Sequence, residues 1–211
     1  MAYDLEEQEQ LEGLKAFWNQ YGNFLLTVVT VVLLAIAGYR GWGWYQDRQA
    51  LEAASVFEQL RGAAEKKDVA KVKESAGTIF EKYSRTAYGQ MAAMVAAKVY
   101  VEAGDLKSAK APLQWAVEHA VDDEFRHVAR IRLAGILLDE KAYDEAFKLV
   151  SLEPPERFAG LYADRRGDIL VAQNKLAEAR TAYRLALDKL EGTSPLKRLV
   201  QVKFDALGGS S

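Results

Sequence analysis

Few side chains in this sequence are both reactive and suitably spaced for chemistry. Its two histidines, His119 and His127, stand eight residues apart across an expected helix break, with Asp122 and Asp123 between them. Imidazole and carboxylate donors make a metal site when a helix or turn presents them at a fixed short interval, and no such interval occurs here. Asp122-Asp123-Glu124 opens a helix, where negative charge meets the positive end of the helix dipole; that accounts for it without a cation. The remaining carboxylates are interspersed with Lys and Arg on helical faces, as solvated i,i+4 partners are. Gly41-Trp42-Gly43 lacks the strand-to-helix setting of a phosphate loop. Cysteine is absent, which excludes thiolate catalysis, a disulfide framework, Cys-ligated zinc and a lipobox-type anchor. No Ser/His/Asp or Lys-centred arrangement stands out. The expectation is a protein that is not an enzyme, with no catalytic or metal-binding residues and no cofactor.

The elements that carry these residues are helical. The 211 residues hold four prolines, and half of them are hydrophobic. Long Ala, Leu, Glu, Lys and Arg runs favour helix, and no alternating strand pattern interrupts them. Net charge is −2, so no basic field is available to attract nucleic acid.

From Phe24 to Tyr39 the chain carries no charge, and Arg40 alone interrupts the apolar stretch before Gln46. As a helix at about 1.5 Å per residue, Tyr21 to Tyr45 reaches roughly 37 Å, enough for a hydrocarbon core of about 30 Å. Ten Leu, Ile, Val or Phe residues between Phe24 and Ile36 favour insertion by roughly 3 to 6 kcal/mol. Trp18 and Tyr21 flank one end, and Tyr39, Trp42, Trp44 and Tyr45 the other, as interfacial belts do. The residues before the span are acidic (Asp4, Glu6, Glu7, Glu9, Glu12) and no Ala-x-Ala site follows it, so a cleaved signal peptide does not fit. Within the span, Ala37 and Gly41 lie one turn apart and are small, allowing another membrane helix to approach. Lys15 on the N-side stands against Arg40, Arg48 and Arg61 on the C-side. The positive-residue count therefore places the C-terminal part in the cytoplasm.

Beyond Gln46 the apolar residues recur at helical spacing, as in Val69, Val72, Ala76, Ile79, Phe80 and Tyr83. Polar turns fall at 65–68, 103–105, 139–141 and 173–175. Asp122, Pro155 and Ser194-Pro195 mark helix starts. About nine helices follow the span, the first continuous with it. Three segments superpose: each has a small residue in a first helix (Ala97, Ala134, Gly167), a polar turn, an apolar residue (Leu106, Tyr143, Leu176) and then an alanine (Ala109, Ala146, Ala179). The alanines recur after 37 and 33 residues, and a degraded fourth copy around Val69 and Val72 precedes them. Small residues are required where two helices cross closely. Tyr100, Leu137 and Leu170 fill a large position, and Ala116 and Ala186 a late small one that Glu153 breaks. The pattern resembles the tetratricopeptide repeat, of period about 34. The predicted fold is all-α: one N-terminal transmembrane helix, then a tetratricopeptide-like helical-hairpin solenoid. The expected organisation is a short acidic tail (1–21), a signal-anchor helix (22–45), a repeat domain (46–207) and a flexible C-terminal tail (208–211).

Such a solenoid offers a concave surface from the first helices of its hairpins. In tetratricopeptide register that surface takes Met91, Met94, Lys98, Val101 and Glu102 from one repeat, and Val128, Ile131, Leu138 and Asp139 from the next. The third supplies Leu161, Asp164, Asp168 and Val171. Methionine and aliphatic groups beside scattered charges suit a peptide or non-native chain, although each is equally a candidate for inter-repeat packing.

The order of parts resembles the YfgM-like family of ancillary SecYEG translocon subunits. The likeness is carried by Gly38-Tyr-Arg-Gly-Trp42, by Ser84–Tyr88, by Ala163-Asp-Arg-Arg-Gly-Asp168 and by a closing Leu199-Val-Gln-Val-Lys203 helix. It implies a single-pass protein of the bacterial inner membrane, N-terminus cytoplasmic and repeats periplasmic, associated with SecYEG and a PpiD-like membrane chaperone. It implies, too, a role beside newly exported polypeptides. That orientation opposes the arginine count and is preferred to it, because large domains translocate largely regardless of charge. The alternative is a membrane-anchored scaffold of another envelope assembly, for division or outer-membrane biogenesis. A cytoplasm-facing signalling adaptor is a third.

Overall fold

In the computed structural model, residues 2–208 are described, with side chains from residue 11 onward. Residues 209–211 of the expected C-terminal tail lie outside the described residues. Nine helices and no strand occur among the described residues: α1 Ala2–Glu65, α2 Val69–Lys82, α3 Ala87–Glu102, α4 Leu106–His119, α5 Asp123–Asp139, α6 Tyr143–Val150, α7 Glu156–Ala172, α8 Leu176–Lys189 and α9 Pro195–Ala206. The chain divides into two units, one ending at Gln49 and the other beginning at Ala50.

In the first unit α1 is uninterrupted, for it holds no proline, and its glycines cost about 1 kcal/mol each without breaking a helix. Thr27 and Thr30 donate their hydroxyls to the carbonyls of Asn23 (2.7 Å) and Leu26 (2.8 Å). Those bonds leave no unsatisfied polar hydrogen in an apolar solvent. Only 6% of the most apolar 18-residue window is buried, whereas a core helix of a soluble domain would be mostly buried. The segment is therefore an anchor helix long and apolar enough to cross a membrane.

The second unit is four hairpins and a closing helix. The first hairpin pairs the last turns of α1 with α2; α3/α4, α5/α6 and α7/α8 follow, and α9 ends the stack. Each hairpin turns the same way. Lys67, Gly104, Lys141 and Asn174 adopt φ of 55°, 76°, 62° and 60°. At each, the amide of the left-handed residue bonds the carbonyl three back, and the next amide bonds the carbonyl five back (Asp68 to Ala63, Asp105 to Tyr100, Ala142 to Leu137, Lys175 to Leu170). This paired closure satisfies helix-end carbonyls that burial would otherwise orphan. Asp68 and Asp105 then cap α2 and α4 by accepting from Lys71 N and Ser108 N.

The crossings are built from the small residues that the repeat register requires. Ala97, Ala109, Ala134, Ala146 and Ala179 are at most 2% exposed, and a Cβ on the buried Gly167 would overlap the Tyr183 ring. The first hairpin substitutes Leu60 and Val72, both fully buried. Glu153 breaks the pattern because α6 has 8 residues and ends at Val150; the late position falls in the Ser151–Pro155 loop, exposed. Pro155 stands at the N-cap position of α7, which starts at Glu156. Asp122 caps α5 through Glu124 N, and Ser194 precedes Pro195 at the start of α9. One apolar cluster runs from Phe57 to Ile169 and a second joins α7, α8 and α9 through Tyr183, Val200 and Phe204.

Candidate functional site

The first helices α3 and α5, together with α4 and with Arg165 of α7, line a cleft of about 500 Å³. Its floor is apolar (Ala97, Val101, Leu106, Leu113, Ile136) and its walls carry Lys98, Glu102, Arg132, Asp139 and Arg165. Of the thirteen residues expected on the concave surface, Lys98, Val101, Glu102 and Asp139 line this cleft. Met91, Met94, Val128, Ile131, Leu138 and Leu161 are half-buried and pack against the main apolar cluster. Val171, at the end of α7, is 37% exposed.

Asp164 and Asp168 behave differently from the expectation. Asp164 is buried, and both carboxylates accept hydrogen bonds of 2.7 Å from Lys203 Nζ on α9. The Tyr183 hydroxyl donates to Asp168 Oδ1 at 2.9 Å, and Arg165 lies 3.3 Å from Asp168 Oδ2. The physical reason is α9: it occupies the place that a further repeat would take, and Lys203 neutralises the pair. Burial and the neighbouring Asp168 push the Asp164 carboxyl up, against the opposing pull of Lys203. Burial, then Asp168, pushes the Tyr183 phenol up, so it stays a donor.

Arg132, Gly135, Ile136 and Arg165 are the cleft residues that sequence reasoning missed. The signal was present: Arg132 and Arg165 each stand two residues before the small crossing residue of their repeat, Ala134 and Gly167. Gly135 has a reason of its own. The Arg165 guanidinium carbon lies 3.3 Å from where its Cβ would be, so glycine lets that group lie against α5. Lys98 pairs with Glu102 at 3.7 Å along the helix. Arg132 donates to the thioether sulfur of Met94 at 3.7 Å and meets no carboxylate among the described residues.

The histidines take structural places. His127 is buried, its Nδ1 2.7 Å from the Tyr162 hydroxyl and its ring stacked on Phe158; burial pushes its pKa down. His119 is exposed, with Nδ1 3.0 Å from the Trp115 carbonyl and its ring stacked on Trp115. No group of three or more His, Asp or Glu side chains is placed to hold a metal among the described residues. On the anchor, Trp18, Tyr21, Tyr39, Trp42, Trp44 and Tyr45 are all exposed. Ala37 and Gly41 are exposed too, with open space where a Gly41 Cβ would stand.

The tetratricopeptide repeat-like domain family matches residues 15–209. A protein of Neisseria gonorrhoeae named ancillary SecYEG translocon subunit is 31% identical over 98% of this chain and 100% of its own length. The chain belongs to the YfgM-like family of ancillary SecYEG translocon subunits. Proteins of the same name from Haemophilus influenzae (25% identical, 98% of this chain and 100% of theirs) and Escherichia coli (27%, 95% and 96%) extend the likeness. No solved structure matches. The shared length in this family includes the apolar stretch of α1 as well as the repeats, so anchor and solenoid are inherited together.

Proposed function

We propose that this protein is a membrane-anchored accessory subunit of the SecYEG translocon whose repeat domain binds newly exported polypeptide, a PpiD-like chaperone, or both. The carrying observation is the end-to-end likeness to relatives named for that translocon, and it favours the translocon over a division or outer-membrane scaffold. The structure supplies suitable parts. An isolated apolar helix gives membrane residence, and a cleft with an apolar floor and charged walls suits chain segments rather than a small metabolite. In this reading residues 1–21 face the cytoplasm, 22–45 cross the inner membrane and 46–207 stand in the periplasm. The belt aromatics would hold the helix at the interfaces, and Ala37 and Gly41 would meet a translocon helix.

Co-purification tests it. The full chain, tagged and extracted in mild detergent, is expected to bring down SecY, SecE and SecG. Replacing 22–45 by an unrelated anchor should reduce that yield. Cysteines at Lys98 and Gly192 should react with an impermeant maleimide in intact spheroplasts. Absence of all three translocon subunits would sink the reading; labelling only after lysis would reverse the orientation.

A further inference from the structure

The cleft between α3 and α5 is dipolar along its length. Of its charged lining, Lys98 pairs with Glu102 and Arg165 with Asp168, while Arg132 and Asp139 stand at opposite ends of the α5 face with Ile136 between them. Two of these charges are uncompensated within the chain. Arg132 meets only the Met94 sulfur, and Asp139, the last residue of α5, has no ion-pair or hydrogen-bond partner among the described side chains. Asp139 also sits at a helix C-terminus, where a carboxylate is disfavoured by the dipole. An uncompensated cation and anion flanking an apolar trough call for a ligand of the reverse pattern.

The geometry points to an extended segment of unfolded polypeptide bearing an acidic and a basic side chain four residues apart on one face, with an aliphatic side chain midway between them. Arg132 and Asp139 are seven residues apart on one helix, about 10 Å at 1.5 Å per residue. Extended chain advances about 3.3 Å per residue and presents alternate residues on one face, so positions four apart share that face at about 13 Å, a span that the long Arg132 side chain can bridge. The carboxylate of the segment takes the Arg132 guanidinium, which can bind it through two parallel N–H bonds. Its ammonium or guanidinium takes Asp139, and the aliphatic group covers Val101 and Ile136. This specifies the ligand of the repeat domain and rests on the polypeptide-binding reading above.

The test uses the full chain in nanodiscs and fluorescein-labelled decapeptides read by anisotropy. One peptide carries Asp and Lys four apart with Leu midway in a Gly/Ser context; its counterpart carries Asn and Gln at those two places. The charged peptide is expected to bind at least tenfold more tightly. Arg132→Gln and Asp139→Asn, both at exposed positions, should each cut that preference at least threefold while leaving the helical melt unchanged. Equal binding of the two peptides overturns the charge pairing and leaves a groove that reads apolar groups alone. A preference undiminished by both substitutions overturns the site. Failure of either peptide to bind overturns the inference and polypeptide binding together.

Discussion

The α3/α5 cleft and the α7/α9 contact are built at equivalent stages of the same repeat, yet one is open and the other is filled. Between α3 and α5, Lys98 and Glu102 neutralise each other at 3.7 Å while Arg132 and Asp139 are left without carboxylate or cation. Between α7 and α9, Lys203 enters with two bonds of 2.7 Å to Asp164 and Asp168, and Tyr183 adds a third donor. A solenoid must end, and its last hairpin would otherwise expose the face that each earlier hairpin buries. Here α9 buries Val200 and Phe204 against α8 and satisfies the α7 carboxylates with a lysine. The contrast shows that repeat register fixes where a side chain stands, while the next helix along decides whether that side chain belongs to a partner or to the fold.

The largest effect should come from removing the cation of the filled contact. Lys203→Met keeps the stem that covers the Tyr183 ring and strips the buried Asp164 of its lysine, while the half-buried Asp168 keeps Arg165 and Tyr183. Breaking a buried pair from one side costs about 3 to 5 kcal/mol, and the partial exposure of Lys203 puts the expected loss near about 3. Lys98→Met in the open cleft should cost under about 0.5, as exposed pairs do. Denaturant unfolding of both variants measures the difference; equal losses would erase the distinction between the two regions. Acidity sharpens it. The Asp164 pKa is already raised in the folded chain, so the folded state takes up its proton at higher pH than the unfolded state does. Stability from this group therefore rises as pH falls through the folded pKa toward the unfolded one. Loss of Lys203 raises that pKa further, and Lys203→Met should recover much of its deficit between neutral and mildly acidic pH. A deficit independent of pH would mean that Lys203 acts through packing.

A smaller loss is expected one turn away, where packing rather than charge is at stake. Gly167→Ala sets a methyl group into the Tyr183 ring, whose hydroxyl is tied to Asp168, so the ring cannot swing clear without giving up that bond. Overpacking of this kind costs about 1 to 3 kcal/mol. Gly135→Ala places its methyl group 3.3 Å from the Arg165 guanidinium, the far end of a flexible side chain that can move into the open cleft. Its cost should be under about 0.5 kcal/mol. Matching thermal melts for the two variants would show that the α7/α8 crossing is no tighter than the cleft wall.

Much of this arrangement was legible in the sequence because repetition exposes it. Ala97/Ala109, Ala134/Ala146 and Gly167/Ala179 announce their crossings by type and interval, and the uncharged run from Phe24 announces the anchor. The concave residues were less so. Periodicity gives the angle at which Met94 or Ile131 leaves its helix, and that angle is shared by the core-facing edge and the groove-facing edge. Asp164 and Asp168 stood at groove positions, but their partner Lys203 lies 39 and 35 residues away on a helix outside the repeat register. Arg132 and Arg165 repeat at the same offset, a pattern that a search for small and aromatic positions passes over. Gly135 has meaning only once Arg165 is seen against it.

The hairpin turns provide the smallest effect and a control on the whole comparison, because they are alike in both regions. A non-glycine residue in left-handed backbone costs about 1 to 2 kcal/mol, while glycine loses about 0.5 to 1 through its extra freedom when unfolded. Lys141, at φ 62°, should therefore gain about 0.5 kcal/mol on Lys141→Gly. Asn174 at φ 60° should gain less, because asparagine visits this region readily, and Gly104→Ala at φ 76° should lose about 1 kcal/mol. These changes lie in the backbone and ignore what fills the neighbouring groove, so the α5/α6 and α7/α8 turns should follow residue type alone. Urea unfolding of the three variants decides. A larger gain at Asn174 than at Lys141 would mean that the filled α7/α9 contact strains its own hairpin, and the cost of closing the solenoid would then lie partly in the turn rather than wholly in the buried charges.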